Sequence, residues 1–175
     1  MKKVIILLLV FMACGAKAQI VHDAKVGIGA SFLGTGDMLI GKLEGEATRK
    51  WNRIVSNSVA LGIGYGDSKF YDSNFSQRTF TVHVDANVLV SPFGNRGIYN
   101  FRLGTGPSLM FVSDALPGTP ETIQRESRIS LGLSMIVENE IAVSDKYLIG
   151  LKMMIQPYLN GDIANTLLLK VGKKL

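Results

Sequence analysis

From residue 26 onward, apolar and small or polar side chains alternate one by one. Val26, Ile28, Ala30 and Phe32 share one face, and Gly27, Gly29 and Ser31 share the other. A period of two is the mark of a strand, and no sustained helical period interrupts it. In the second segment, about 38–51, Leu39, Leu43, Ala47 and Trp51 stand against Ile40, Lys42, Glu44, Glu46, Thr48 and Lys50. The same alternation recurs over 55–66, 80–90, 99–111, 129–138, 149–156 and 166–175. Eight strands therefore account for most of the chain after its first 25 residues, leaving no linker, repeat or second domain.

The connections alternate as well. Tight turns are expected at Asn52-Arg53, Phe93–Gly97 and Ser144–Lys146. Longer loops are expected at 67–77 and 113–126, where Pro117, Gly118 and Pro120 argue against regular structure. Short turns at one end and long loops at the other describe an antiparallel up-and-down meander.

Alternation defines two faces without saying which meets water, and three features choose. Ten of the 19 glycines fall on the polar face: Gly27, Gly29, Gly62, Gly64, Gly66, Gly104, Gly106, Gly132, Gly150 and Gly172. Glycine weakens an exposed strand but suits a crowded, strongly curved inner wall. The apolar face is almost free of charge across all eight segments, so exposing it to water would create a patch no soluble monomer tolerates. Finally, the aromatics sit at strand ends. Trp51, Phe93, Tyr99 and Tyr147 lie beside the short turns, and Phe32, Tyr65, Phe80 and Phe111 beside the long loops. Two aromatic belts match two membrane interfaces. The expected fold is all-β: an eight-stranded antiparallel up-and-down transmembrane β-barrel, apolar outside and polar within.

Composition changes the picture mainly through the first residues. Met1-Lys2-Lys3 precedes ten unbroken apolar residues, Val4–Ala13, and then Ala16-Lys17-Ala18. This run falls short of the about 20 residues of a membrane-spanning helix and has the layout of an export signal. Cleavage after Ala18 is expected, giving a signal peptide at 1–18 and a barrel domain at 19–175. The alternative is a cut before Cys14 with lipid on its thiol, although Phe11-Met12-Ala13 is a poor match for a lipidation box. Cleavage at Ala18 removes Lys2, Lys3, Lys17 and the single cysteine. The formal charge of +5, from 19 basic and 14 acidic residues, then falls near +2, and no nucleic-acid partner is implied.

These alternating segments resemble the eight-stranded outer-membrane β-barrels of Gram-negative bacteria. The resemblance spans 24–175, and its ending, Lys170-x-Gly172-x-x-Leu175, is similar to the family's C-terminal assembly signal. Leu175 stands where an aromatic is usual, and Lys173 falls on the lipid-facing phase. The resemblance implies a location in the outer membrane, escort by periplasmic chaperones, insertion by the barrel-assembly machinery, and long loops facing outward. The expected partners are outer-membrane lipid and those biogenesis factors, with the barrel a monomer.

The inner face would carry Lys42, Lys50, Arg102, Lys152, Lys170 and Lys174 against Glu44, Glu46, Asp85, Glu138 and Glu140. In a narrow lumen such charges form a structural ion-pair plug or line a gated, low-conductance pore. Glu138 and Lys152 are each seven residues from Asp145 and should face each other. Asp85 and Arg102 should meet diagonally by a similar count about Gly94-Asn95.

Other chemistry is thin. His22 lies near the start of the barrel domain, and His83-x-Asp85 has no serine on a common face to complete a hydrolytic set. No ligand spacing suggests a metal, and no cofactor is expected. Gly62-Ile63-Gly64-Tyr65-Gly66 lacks the following helix a phosphate loop requires. Phe70, Tyr71 and Phe75 stand among polar residues in loop 67–77, as partner anchors or as interfacial residues. The expected role is a non-enzymatic structural or porin-like barrel. The alternatives are ligand or partner binding through loops 67–77 and 113–126, and lipid modification.

Overall fold

A computed structural model describes residues 23–34, 38–69, 76–94, 98–117 and 123–175. Eight strands follow in order: β1 (Asp23–Leu33), β2 (Met38–Lys50), β3 (Val55–Lys69), β4 (Ser76–Val90), β5 (Tyr99–Pro117), β6 (Ile123–Ala142), β7 (Tyr147–Pro157) and β8 (Ile163–Lys174). Each pairs antiparallel with its neighbour in sequence, and β1 pairs with β8 to close the barrel. Closure leaves no free strand edge, so every ladder has a partner on both sides. The predicted leader, including Cys14, and His22 lie outside the described residues.

Local chemistry shapes the short turns. After β2, the Asn52 side-chain oxygen accepts the backbone N–H groups of Ile54 at 2.8 Å and Val55 at 2.7 Å. After β6, the Ser144 hydroxyl accepts from Tyr147 N at 3.1 Å and Lys146 N at 3.3 Å. Asn and Ser can mimic a backbone turn in this way, which lets two strands reverse without apolar contacts.

The strands extend beyond the alternating pattern at the opposite end. The described residues of 67–77 and 113–126, regions expected as loops, are paired strand. Asp67 faces Arg78 and Lys69 faces Ser76. Ser113 faces Ser127, and the ladder continues to Pro117 opposite Ile123. Backbone hydrogen bonding needs no apolar face, so a hairpin above the lipid band keeps its ladder while losing the hydrophobic alternation that marks it in sequence. Pro117 is tolerated because it ends its strand. Phe70, Tyr71 and Phe75 lie outside the described residues.

The barrel is apolar outside and polar within. Val26, Ile28, Leu61, Ile129 and Leu131 are each more than half exposed on the outer wall, whereas Glu44, Asp85, Arg102, Glu138, Lys152 and Lys170 are at most 1% exposed. Phe32, Tyr65, Phe80 and Phe111 stand on the outer wall toward one end, and Trp51, Phe93, Tyr99 and Tyr147 toward the other. Tyr65 and Phe80 are register partners.

Candidate functional site

The lumen is the one place where the fold concentrates chemistry. Inward positions alternate along every strand, so β2 delivers Lys42, Glu44 and Glu46 in succession, and β6 delivers Glu138 and Glu140. Glu46 is the hub. Its two oxygens receive Lys170 Nζ at 2.6 Å, Lys152 Nζ at 3.0 Å, Lys25 Nζ at 3.1 Å and the Thr48 hydroxyl at 3.0 Å. Lys170 also reaches Glu138 at 2.9 Å, and Lys152 reaches Glu44 at 2.7 Å. Arg102 bridges Glu138 at 3.0 Å and contacts Glu140, which Lys25 also reaches at 2.5 Å. Lys42 lies 3.8 Å from Glu44.

Lys25, Lys42, Arg102, Lys152 and Lys170 therefore balance Glu44, Glu46, Asp85, Glu138 and Glu140, all of them 5% exposed or less. Charge balance is what allows so many acidic and basic groups to share a buried interior, because each isolated charge would carry a large desolvation cost. Glycine makes the room. A Cβ on Gly172 would fall 2.7 Å from Lys25 Cγ, and one on Gly27 would fall 3.0 Å from Lys170 Cγ. Gly172 is the β8 register partner of Lys25, and Gly27 the β1 partner of Lys170, so each long cation lies over a glycine on the next strand.

Of the two facings expected in the lumen, one holds and one does not. Glu138 and Lys152 are register partners, but no ion pair joins them among the described residues. Side chains from neighbouring strands project side by side, whereas Glu44 and Glu46 approach Lys152 from across the lumen. Asp85 and Arg102 do not meet. The connection after β4 spans 91–98, and Val90 faces Leu103, so Asp85 lies opposite Ser108. The β4–β5 pairing is centred past Gly94-Asn95, which shifts the register, and Asp85 accepts instead from Gln156 Nε2 at 2.8 Å. Of the remaining expected lumen cations, Lys50 is at the rim, 3.0 Å from Asp23, and Lys174 is also peripheral.

Lys25 and Tyr158 are among the inward groups missed in sequence. Lys25 shares the phase of Gly27, and extending the first strand by one residue would have found it. Tyr158 carries no such signal, since it stands in the connection between β7 and β8. There the chain folds inward: Tyr158 bridges to Gly132, and its hydroxyl lies 3.1 Å from Ser108 Oγ and 3.3 Å from His83 Nδ1. The ring joins Leu33, Met38, Ile40, Met110, Val112 and Ala164 in a buried apolar cluster. Above it, Arg128 holds Asp114 at 2.5 Å and Asp162 at 3.1 Å. His83 is 2% exposed, with Thr81 Oγ1 3.2 Å from its Nε2. Among the described residues, no group of three or more His, Cys, Asp or Glu side chains could hold a metal ion.

The lumen thus has two fillings, an ionic half toward the short turns and an apolar plug beneath the β7–β8 connection. With its apolar wall outside, this is the architecture of a membrane-spanning β-barrel. No protein-family model matches the chain, and no curated protein is significantly similar to it in sequence. Solved structures similar to it are eight-stranded outer-membrane barrels. The neisserial surface protein A is 12% identical with a TM-score of 0.62, covering 89% of this chain and 98% of its own. Ail, the attachment invasion locus protein of Yersinia pestis, in complex with the heparin analogue sucrose octasulfate, is 11% identical with a TM-score of 0.63, covering 89% and 100%. A major outer membrane protein from Thermus thermophilus is 16% identical with a TM-score of 0.58, covering 87% and 99%. The chain has the outer-membrane β-barrel fold, and its apolar outer wall fits that location.

Proposed function

We propose that this protein is a non-enzymatic, non-conducting barrel of the outer membrane, serving a structural or surface-presenting role. The observation that carries the reading is the Glu46 hub, which ties β1, β2, β7 and β8 together across the lumen through Lys25, Lys152 and Lys170. Direct ion pairs across the lumen and the Tyr158 cluster in its other half support this reading, because eight strands leave an interior just wide enough for side chains to fill. Planar-bilayer recording tests it. The purified barrel should insert without discrete unitary openings, and reproducible single-channel steps from the unmodified protein would overturn the reading.

A second reading, recognition of a surface partner, draws on the β5–β6 hairpin. Its ladder continues to Pro117 opposite Ile123, past the rows that hold Phe80 and Phe111. Specific cell or matrix adhesion conferred by the protein, and lost when 116–124 is replaced by a tight turn, would support it.

A further inference from the structure

At the short-turn end the outer wall carries a concentration of unneutralised positive charge. Lys173 on β8 and Tyr147 on β7 are register partners, and both face outward. Each stands one outward position beyond an exposed apolar residue, Lys173 beyond Val171 and Tyr147 beyond Ile149. They therefore lie where the apolar band gives way to polar surface. Lys146 adjoins them, its carbonyl accepting Lys174 N at 2.8 Å while Ser144 holds the turn. Further round the same rim, Arg49 follows Ala47 on the outer face of β2, and Arg53 lies beside the exposed Trp51.

Lys146, Lys173, Arg49 and Arg53 make no ion pair among the described residues, and Asp145 is the acid nearest them in the turn. The opposite end differs. Among the described residues there, Arg78 lies 3.8 Å from Asp67 and Arg128 is shared by Asp114 and Asp162, while Arg125 makes no ion pair. Lysines one step outside a lipid-facing band extend their ammonium groups to the headgroup level, and a tyrosine between them supplies an amphipathic body and a hydroxyl.

We propose that the Lys146–Tyr147–Lys173 corner is a docking surface for anionic glycerophospholipid, whose phosphodiester lacks a compensating ammonium. This rests on the membrane-barrel reading above. Positive charge at a membrane surface favours net-negative headgroups by about fivefold per basic residue before screening. The corner thus gives this end of the barrel a headgroup preference that the ion-paired Arg78 and Arg128 at the opposite end do not supply.

The test is lipid retention. The full-length barrel is reconstituted in vesicles of equimolar phosphatidylglycerol and phosphatidylcholine, extracted in mild detergent, and its bound lipids are counted by native mass spectrometry. Flotation with the vesicles and heat-dependent gel mobility establish folded, inserted protein. The unmodified barrel should retain phosphatidylglycerol several-fold over phosphatidylcholine, more so at low salt. The Lys146→Gln/Lys173→Gln variant should fall toward parity, while Arg78→Gln/Arg125→Gln keeps the enrichment. Equal retention by the unmodified protein, or enrichment that survives the lysine changes or vanishes with the arginine changes, overturns the proposal. Protein that fails to float overturns the membrane reading itself.

Discussion

Glu138 and Lys152 face each other across the β6–β7 ladder, yet their charged ends turn to different partners. Lys152 reaches Glu44 and Glu46 across the lumen, and Glu138 takes Lys170 and Arg102. The lumen is braced between opposite walls rather than along neighbouring strands. In double-mutant cycles, Lys152→Ala should couple to Glu46→Ala by about 1–3 kcal/mol, and to Glu138→Ala by clearly less. Urea unfolding in lipid vesicles, read by gel mobility, measures both couplings. A larger Glu138–Lys152 term would contradict the cross-lumen arrangement.

Glu46 should be the most costly single charge to remove. Its loss leaves Lys25, Lys152 and Lys170 without their shared partner, and stranded buried charges cost about 3–5 kcal/mol. Glu44→Ala should cost less, because Glu44 has one close cation, Lys152 at 2.7 Å, with Lys42 and Lys170 at 3.8 and 3.9 Å. The same unfolding assay ranks the two variants.

The inward turn depends on the bareness of Gly132. A Cβ there would lie 2.5 Å from the Pro157 carbonyl oxygen and 2.6 Å from Tyr158 Cδ1. Gly132→Ala should therefore destabilise by about 1–3 kcal/mol and unseat the ring. Tyr158→Phe keeps the ring and loses the contacts to Ser108 and His83, for a cost nearer 1 kcal/mol. Near-ultraviolet circular dichroism should change more for Gly132→Ala than the loss of a single hydroxyl explains.

Arg128→Ala should loosen the β7–β8 connection without unfolding the barrel. The guanidinium is about one-third exposed, so the cost should be about 1 kcal/mol or less. Faster hydrogen exchange at the Tyr158 and Gly161 amides, which close the turn onto Asp162 and Tyr158 carbonyls, is the expected signature. Unchanged exchange there would show that the turn holds without Arg128.

The outer wall offers the reverse experiment. Leu43 faces outward between Ile28 and Ile63, its partners on β1 and β3. Leu43→Arg should cost about 2–4 kcal/mol if that row meets the hydrocarbon core. A neutral effect in bilayer refolding would place the row in water.

The period-two alternation gave eight strands, the alternating connections their antiparallel order, and the placement of glycines, charges and aromatics the inward face. Residue spacing also placed Glu138 opposite Lys152, because the Ser144–Lys146 turn is tight and symmetric. Strand ends were less legible. Above the lipid band both faces turn polar, so the Ser113–Ser127 and Asp67–Arg78 rows read as loop while their backbones stay paired.

What the sequence determined by itself was parity: which residues point inward, including Lys42, Glu44, Glu46, Asp85, Arg102, Glu138, Lys152 and Lys170. Which of them touch was decided only by closure. Pairing β1 with β8 brings Lys25 and Lys170 to the same carboxylate as Lys152, across sequence separations of 21, 124 and 106 residues. Local spacing cannot encode those distances, because they depend on the diameter of the closed wall and on a register set by turn length. The same holds for Tyr158, an aromatic in a connection, which becomes a plug only because Gly132 leaves it room.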